Sequence, residues 1–548
     1  QLLDRLAPLE GIPQLPLQPR ALDEVPALQP GEHGSSATML SIFTDRSVAS
    51  ALRHGLRLWR SDLSRSRLSL GRWLALVQLQ LESSNGRRRP DAWSKRLPGL
   101  LRHLFPGERL HTACMETARL LLELQDPVLA AAALAPLEER WRALPCLALL
   151  RGEVLRHAGQ LEAAGVALQV ALQDPSLLAP TACQLGELER QRGRFDAAAQ
   201  WFLQSIATDP SLHWAHQALQ FTPFSASLLP AILECYAALS SRHPRESLLL
   251  QLHSHYLLQS GQSEPAIAAA RRAARLDLGP RRAWLARADA TPEPPDLLIL
   301  GVPKGGTTSL HSWLHTHPQL WMHPRKELNF FDQHWRHGCR WYAAQFPRFR
   351  RGSGLLRAES SPNYWQHPLV PERVQALMPR ARLIVLLRDP LQRAISWTQH
   401  LQRHNGLQGD LETLMLAEAN ALEAMGTGPL PAPGPGRPNA LLGSCYDAPL
   451  QRWQALFPPE QLLVLRSEAL FAEPGTALEQ VAAFLGVSSP WATGPLQAWN
   501  RSPTAPAPLS SASRARLQAV LAPHNRCSAA LLGVLPMGDW PPPAPHQP

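Results

Sequence analysis

Lys304 stands between an apolar run and a pair of glycines, in the stretch Pro303-Lys304-Gly305-Gly306-Thr307-Thr308-Ser309. Paired glycines let a chain turn tightly and approach a ligand, and a helix starting at them points its unpaired N–H groups the same way. The hydroxyls of Thr307, Thr308 and Ser309 add further donors, so these residue types at this spacing form a cradle for an anion. The chain has three lysines, Lys95, Lys304 and Lys326, against 51 arginines. A lysine at this place is therefore a choice of chemistry. Its ammonium is a compact charge that can follow a phosphate or sulfate oxygen through a reaction, which a planar guanidinium fork does less easily. The order also differs from the nucleotide loop G-x-x-x-x-G-K-[ST], where the lysine follows the glycines.

A second constellation lies about eighty residues on. Arg388 ends the apolar run Leu383 to Leu387, and Ser396 follows eight residues later. Asp389 is a good helix N-cap and Pro390 a good first helical residue, so Ser396 comes round after two turns. Arg388 and Ser396 can thus converge on one phosphate.

The elements that must position these residues are strands alternating with helices. DLLILGV (296–302) predicts a buried strand and TTSLHSWLHTH (307–317) a helix; RLIVLLR (382–388) predicts a second strand and PLQRAISWTQHLQRH (390–404) its helix; QLLVLRSEAL (461–470) adds a third. Apolar strands alternating with helices imply an α/β fold, a P-loop-like parallel sheet with helices on both faces. Ligands on such sheets bind at the carboxyl ends of strands, where the Lys304 loop falls.

The first half is different. Gly152 and Gly186 are 34 residues apart, as are Gly159 and Gly193, with Gly261 two periods further; Ala164, Ala198 and Ala266 keep the same ruler, as do Ala171, Ser205 and Ala273. This resembles tetratricopeptide repeats over roughly residues 145–278 and predicts an all-α tetratricopeptide-like helical array. FTPFSASLLP (221–230) interrupts it, with Ser227 where glycine is expected. The expected organisation is an N-terminal extension at 1–37, a helical domain at 38–286, a linker at 287–295, an α/β domain at 296–535 and a Pro-rich tail at 536–548. Such arrays offer a surface for a protein partner and no chemistry of their own.

Composition narrows the class. The 548 residues carry a formal charge of +10, which suits a polyanionic ligand but does not choose among ligand types. No apolar run reaches the roughly 18 residues of a membrane span, and no secretory leader is visible at Gln1. Seven scattered cysteines, never in C-x-x-C spacing, read as free thiols in a reducing, cytoplasmic setting. No carboxylate or thiolate cluster suggests a metal, and no nucleic-acid partner is expected.

On these residues a family resemblance rests. GVPKGGTTSL is similar to the 5′-phosphosulfate loop of sulfotransferases that use 3′-phosphoadenosine 5′-phosphosulfate (PAPS), and LIVLLRDPLQRAIS to their 3′-phosphate motif. The resemblance implies PAPS as donor and adenosine 3′,5′-bisphosphate as product, held by Pro303, Lys304, Gly305, Gly306, Thr307, Thr308, Ser309, Arg388 and Ser396. MHPRKELNFFD resembles the segment of heparan-sulfate-type enzymes where a glutamate precedes two phenylalanines, implying Glu327 as general base beside catalytic Lys304. His400 is implied as a proton-transfer group, as a histidine is in some relatives; a solvated helix face explains His400 and His404 as well. AESSPNYW departs from the family's E-K-[ST]-P-x-Y, with Ser360 where lysine is frequent. The implied acceptor is a carbohydrate, with protein or lipid as alternatives. Two other functions compete: a sulfotransferase-like scaffold working through its helical repeats, and a nucleoside-triphosphate-dependent kinase, which would want G-K-[ST] and an acidic Mg²⁺ ligand.

Overall fold

The computed structural model describes residues 92–107, 109–124, 126–137, 144–278, 293–349, 353–425, 440–488 and 509–533, together with Leu74 and Val77. The expectations for the extension 1–37, most of the linker and the tail 536–548 fall outside the described residues. Two compact units emerge, one ending at Thr222 and the other beginning at Pro223.

The first unit is helical: α1 Ala92–Leu104, α2 Arg109–Glu123, α3 Pro127–Leu134, α4 Pro145–His157, α5 Leu161–Ala171, α6 Leu178–Gln191, α7 Phe195–Thr208 and α8 His213–Gln220. The 34-residue ruler has a physical cause. In the pairs α4–α5 and α6–α7 the connecting glycines, Gly159 and Gly193, take φ of +78° and +73°, a left-handed turn that favours a residue without a Cβ. Gly152 and Gly186 lie against the partner helix, where a Cβ would stand 2.6 Å from Leu168 and 2.5 Å from Phe202. Ala164, Ala171, Ala198 and Ser205 are fully enclosed between the paired helices.

The second unit opens with α9 Leu229–Arg242, α10 Ser247–Gln259 and α11 Ser263–Asp277. The α10–α11 pair repeats the pattern, with Gly261 at φ +82° and Ala266 and Ala273 buried. Where the ruler fails, the chain makes a short 3₁₀ turn, Ala226–Leu228, before α9.

A parallel sheet follows, with strands β1 Leu297–Gly301, β2 Leu320–Met322, β3 Leu356–Ser360, β4 Arg382–Leu387 and β5 Leu462–Arg466 in the order β2-β3-β1-β4-β5. Around it lie α12 Thr307–His315, α13 Cys339–Ala344, α14 Val370–Leu377, α15 Pro390–His404, α16 Leu411–Met425, α17 Asp447–Leu456, α18 Ser467–Ala472, α19 Pro474–Leu485 and α20 Ser511–Leu532. All five residues of β1 are buried, because alternate side chains enter opposite cores. Leu298 and Leu300 join Trp341, Tyr342, Trp365 and Trp453 on one side; Leu297 and Ile299 join Leu310, Trp313 and Val481 on the other. The sequence expectation contained three strands and the sheet has five. β2 is only three residues long, and β3 reads Leu-Arg-Ala-Glu-Ser, so neither presents an apolar run. Among the described residues no helix is long and apolar enough to cross a membrane.

Candidate active site

Parallel neighbours deliver their carboxyl ends side by side. β1 pairs with β4, Ile299 opposite Ile384 and Gly301 opposite Val385, so the loop after β1 and Arg388 after β4 emerge together. The Val302 N–H donates to the Leu386 carbonyl (3.0 Å) and the Gly305 N–H to the Val302 carbonyl (2.9 Å). The loop thereby lies against β4 before turning into α12. Both glycines are required there. A Cβ on Gly305 would stand 2.7 Å from the Leu386 carbonyl oxygen; one on Gly306, at φ +94°, would stand 2.8 Å from the Phe471 ring. Lys304 itself takes φ +69°, a left-handed backbone held by its surroundings.

Those surroundings are arginines. Arg388 Nη1 donates to the Lys304 carbonyl (3.1 Å), and the buried Arg393 donates through Nε to the Pro303 carbonyl (3.1 Å) and through Nη1 to the Ala440 carbonyl (3.0 Å). Ser467, at the start of α18, donates its hydroxyl to the Gly305 carbonyl at 2.5 Å. Three consecutive loop carbonyls are thus held from behind, leaving the loop's other face to the cradle.

Burial pulls the Lys304 ammonium down to about 8, and the charges of Arg403, Arg388, Lys326 and Arg393 add to the effect. Four cations around a fifth form a concentrated positive field, which an anionic ligand would relieve. Across the cradle Lys326 donates to the hydroxyls of Thr308 (2.8 Å) and Thr307 (3.3 Å) and lies 3.7 Å from Glu327 Oε1. Lys326 is therefore part of the cradle wall. Glu327 sits just beyond β2 with φ +63°, and its N–H donates to the Ser360 carbonyl at the end of β3 (3.0 Å). Phe330 and Phe331 are core residues, and the Phe330 N–H donates to the Tyr364 hydroxyl at 2.7 Å. Ser360 is buried against this turn.

Lys304, Thr307, Thr308 and Glu327 are thus brought together, with Arg388 behind Lys304. Ser309 is fully buried in the first turn of α12, and Ser396 is almost fully enclosed in α15. α15 starts as expected: Asp389 Oδ1 accepts from the Gln392 N–H (2.7 Å) and Pro390 opens the helix. His400 stacks on Trp397 (5.4 Å) and approaches His404 (4.7 Å). Sequence reasoning missed Arg393, Arg403, Ser467 and Asp332. Arg393 and Arg403 sit at i−3 and i+7 from Ser396, a helical spacing that carried the signal. Asp332 is pushed up to about 7, chiefly by burial, with Glu359 and Glu327 adding to the shift.

Comparisons with known proteins address the same region. Residues 294–499 match the family described as Sulfotransferase domain. The human bifunctional heparan sulfate N-deacetylase/N-sulfotransferase 3 is 32% identical over 204 residues, 35% of this chain and 22% of that protein. The Xenopus laevis bifunctional heparan sulfate N-deacetylase/N-sulfotransferase 1 is 34% identical over 206 residues, 36% of this chain and 22% of that protein. The chain spans about a fifth of the length of these relatives. A solved sulfotransferase from Alicyclobacillus acidocaldarius aligns with a TM-score of 0.34 and 23% identity, covering 44% of this chain and 96% of that one. The match to the sulfotransferase domain family thus spans residues 294–499, which include the whole parallel sheet and the Lys304 loop.

Proposed function

From a sulfotransferase domain whose lysine, threonines and glutamate meet at the strand ends, we propose that this chain transfers a sulfuryl group from PAPS to a hydroxyl or amine of a carbohydrate. The observation that carries the reading is the pairing of a cationic cradle, centred on Lys304, with Glu327, whose carboxylate lies 3.7 Å from the cradle lysine Lys326.

The cradle fits the donor's phosphosulfate. Gly305 and Gly306 leave room where any Cβ would collide, the start of α12 supplies N–H groups, and Thr307 and Thr308 supply hydroxyls. When bound, PAPS supplies the activated sulfuryl group. Lys304 is the charge that neutralises the departing phosphate oxygen, and Arg388 with Ser396 would hold the 3′-phosphate. Glu327 would take the proton from the acceptor as its oxygen or nitrogen bonds to sulfur and the bond from sulfur to the bridging phosphate oxygen breaks. Sulfuryl transfer, like phosphoryl transfer, depends on in-line placement and on balancing charge at the equatorial and leaving oxygens; this wall of fixed cations and N–H groups does that work.

The kinase reading is not favoured, since Asp389, the acid after β4, is spent as the cap of α15. Nor is the scaffold reading, since the charged groups of the cradle are assembled together. The tetratricopeptide-like helices serve in this reading as a docking surface for a protein partner. The scattered cysteines of the sequence, never in C-x-x-C spacing, support a reducing, cytoplasmic setting. Incubating the full chain with donor labelled in its sulfate, against a panel of glycans, peptides and lipids, tests the proposal. Label is expected on a glycan; label on peptide or lipid alone, or on nothing, overturns it.

A further inference from the structure

The segment that carries Glu327 has a second basic residue pointing elsewhere. Lys326 turns onto Thr307 and Thr308, whereas Arg325 turns into the interior, where it is 4% exposed. Its Nε, Nη1 and Nη2 are all buried and none has a hydrogen-bond partner. An uncompensated guanidinium in a protein interior is among the most expensive groups to bury.

The nearest counter-charge is already engaged. Glu359 acts electrostatically on Arg325, but its Oε1 accepts from the hydroxyls of Tyr342 (2.8 Å) and Tyr364 (2.9 Å) and its Oε2 from that of Ser361 (2.8 Å). Burial also pushes its carboxyl up, which weakens it as an anion. Three hydroxyl donors keep this carboxylate at home in its own network.

Around Arg325 the remaining unsatisfied groups are mostly donors. The Tyr256 hydroxyl and the Gln345 side-chain nitrogen are buried without partners, as is His255 Nδ1. His255 Nε2 lies 3.0 Å from Gln259 Nε2; the amide must donate, so the ring proton of neutral His255 belongs on Nδ1. Among the acceptors nearby, His323 and Gln345 interact with one another through their side chains. α10 brings Tyr256 and His255 to this place by firm packing: the His255 and His334 rings lie 5.4 Å apart, and Trp341 Nε1 donates to Ser254 Oγ at 3.1 Å. Water could satisfy the donors but would leave the charge uncompensated. A small anion satisfies both.

We propose that Arg325, with Tyr256 and His255 of α10 and with Gln345, forms a buried binding site for a compact inorganic anion of the halide class. The bound anion completes the interior between α10 and the turn that presents Glu327, and so braces that turn. This inference stands independently of the donor chemistry.

The test uses the full chain. Crystals soaked in sodium bromide and measured at the bromine absorption edge are expected to give an anomalous peak at about 3.3 Å from the Arg325 guanidinium, slightly longer than an N–H···O bond. In solution, replacing gluconate by bromide or chloride at constant ionic strength is expected to raise the thermal midpoint by roughly 2–4 °C. Arg325→Met should abolish that rise, and Tyr256→Phe, which keeps the ring and folds in its place, should reduce it. A guanidinium contacting only ordered water or a swung Glu359 carboxylate would overturn the proposal, as would a halide response equal in wild type and Tyr256→Phe.

Discussion

Replacing Lys304 with alanine should separate catalysis from binding. The ammonium is one of five cations at the cradle, with Arg388, Arg393, Arg403 and Lys326 acting on it. Removing it leaves four to attract the donor, so the Michaelis constant for PAPS should rise by less than about tenfold, within what a partly screened charge contributes. The transition state differs because negative charge grows on the bridging oxygen that Lys304 is placed to meet. A unit charge about 4 Å away at an effective dielectric near 20 is worth roughly 4 kcal/mol, and loss of one preorganised donor elsewhere lowers kcat by about 10² to 10³. The expected result is a 10²- to 10³-fold fall in kcat at saturating donor, read by transfer of labelled sulfate. Binding of adenosine 3′,5′-bisphosphate by calorimetry serves as the check on folding. Lys304→Arg should recover little, because Arg388 already occupies the carbonyl behind the loop and a planar fork does not track the oxygen. A kcat within about fivefold of wild type, or a loss confined to the Michaelis constant, would refute the role given to this ammonium.

Glu327→Gln keeps the shape of the turn and removes the base, and should lower kcat by about 10² to 10⁴ with donor binding preserved; unchanged turnover on the glycan acceptor would remove Glu327 from the chemistry. Burial, with the neighbouring arginines and Lys326, pulls the Lys304 ammonium down to about 8, and a bound anion is expected to raise it again. Affinity for adenosine 3′,5′-bisphosphate should therefore be level below pH 8 and fall by up to tenfold per pH unit above it until the bound-state value is reached; in Lys304→Ala this limb should vanish. Gly305→Ala places a methyl 2.7 Å from the Leu386 carbonyl, so the loop must shift, at a cost of about 1–3 kcal/mol; a lower thermal midpoint and weakened product binding are expected together. Arg393→Met strips the Pro303 and Ala440 carbonyls of their donor, about 1–3 kcal/mol for each group left buried and unpaired, measurable by denaturant unfolding.

Much of this architecture could be read along the chain, because local chemistry specifies local structure. The capping Asp389 and the following Pro390 announce the helix that runs Pro390–His404. β1 and β4 are apolar runs because both of their faces are covered. The glycine ruler reports turns and close helix contacts that tolerate no Cβ. Legibility ended where burial mixes polar residues into strands, as in β3 with its Arg357, Glu359 and Ser360, and where a strand is as short as Leu320–Met322.

The site divides along the same line. The residue types of an anion cradle, and their place at a strand end ahead of a helix, were set by sequence alone, since a strand, two glycines and a helix start depend on a dozen neighbouring residues. Which charges face Lys304 was decided only by the tertiary fold. Arg393 and Arg403 come from a helix some ninety residues away, Ser467 from beyond β5, and Lys326 from a loop whose two adjacent basic side chains go to opposite sides. Electrostatic fields and buried polar pairings depend on distance in space, and the parallel order β2-β3-β1-β4-β5 creates those distances.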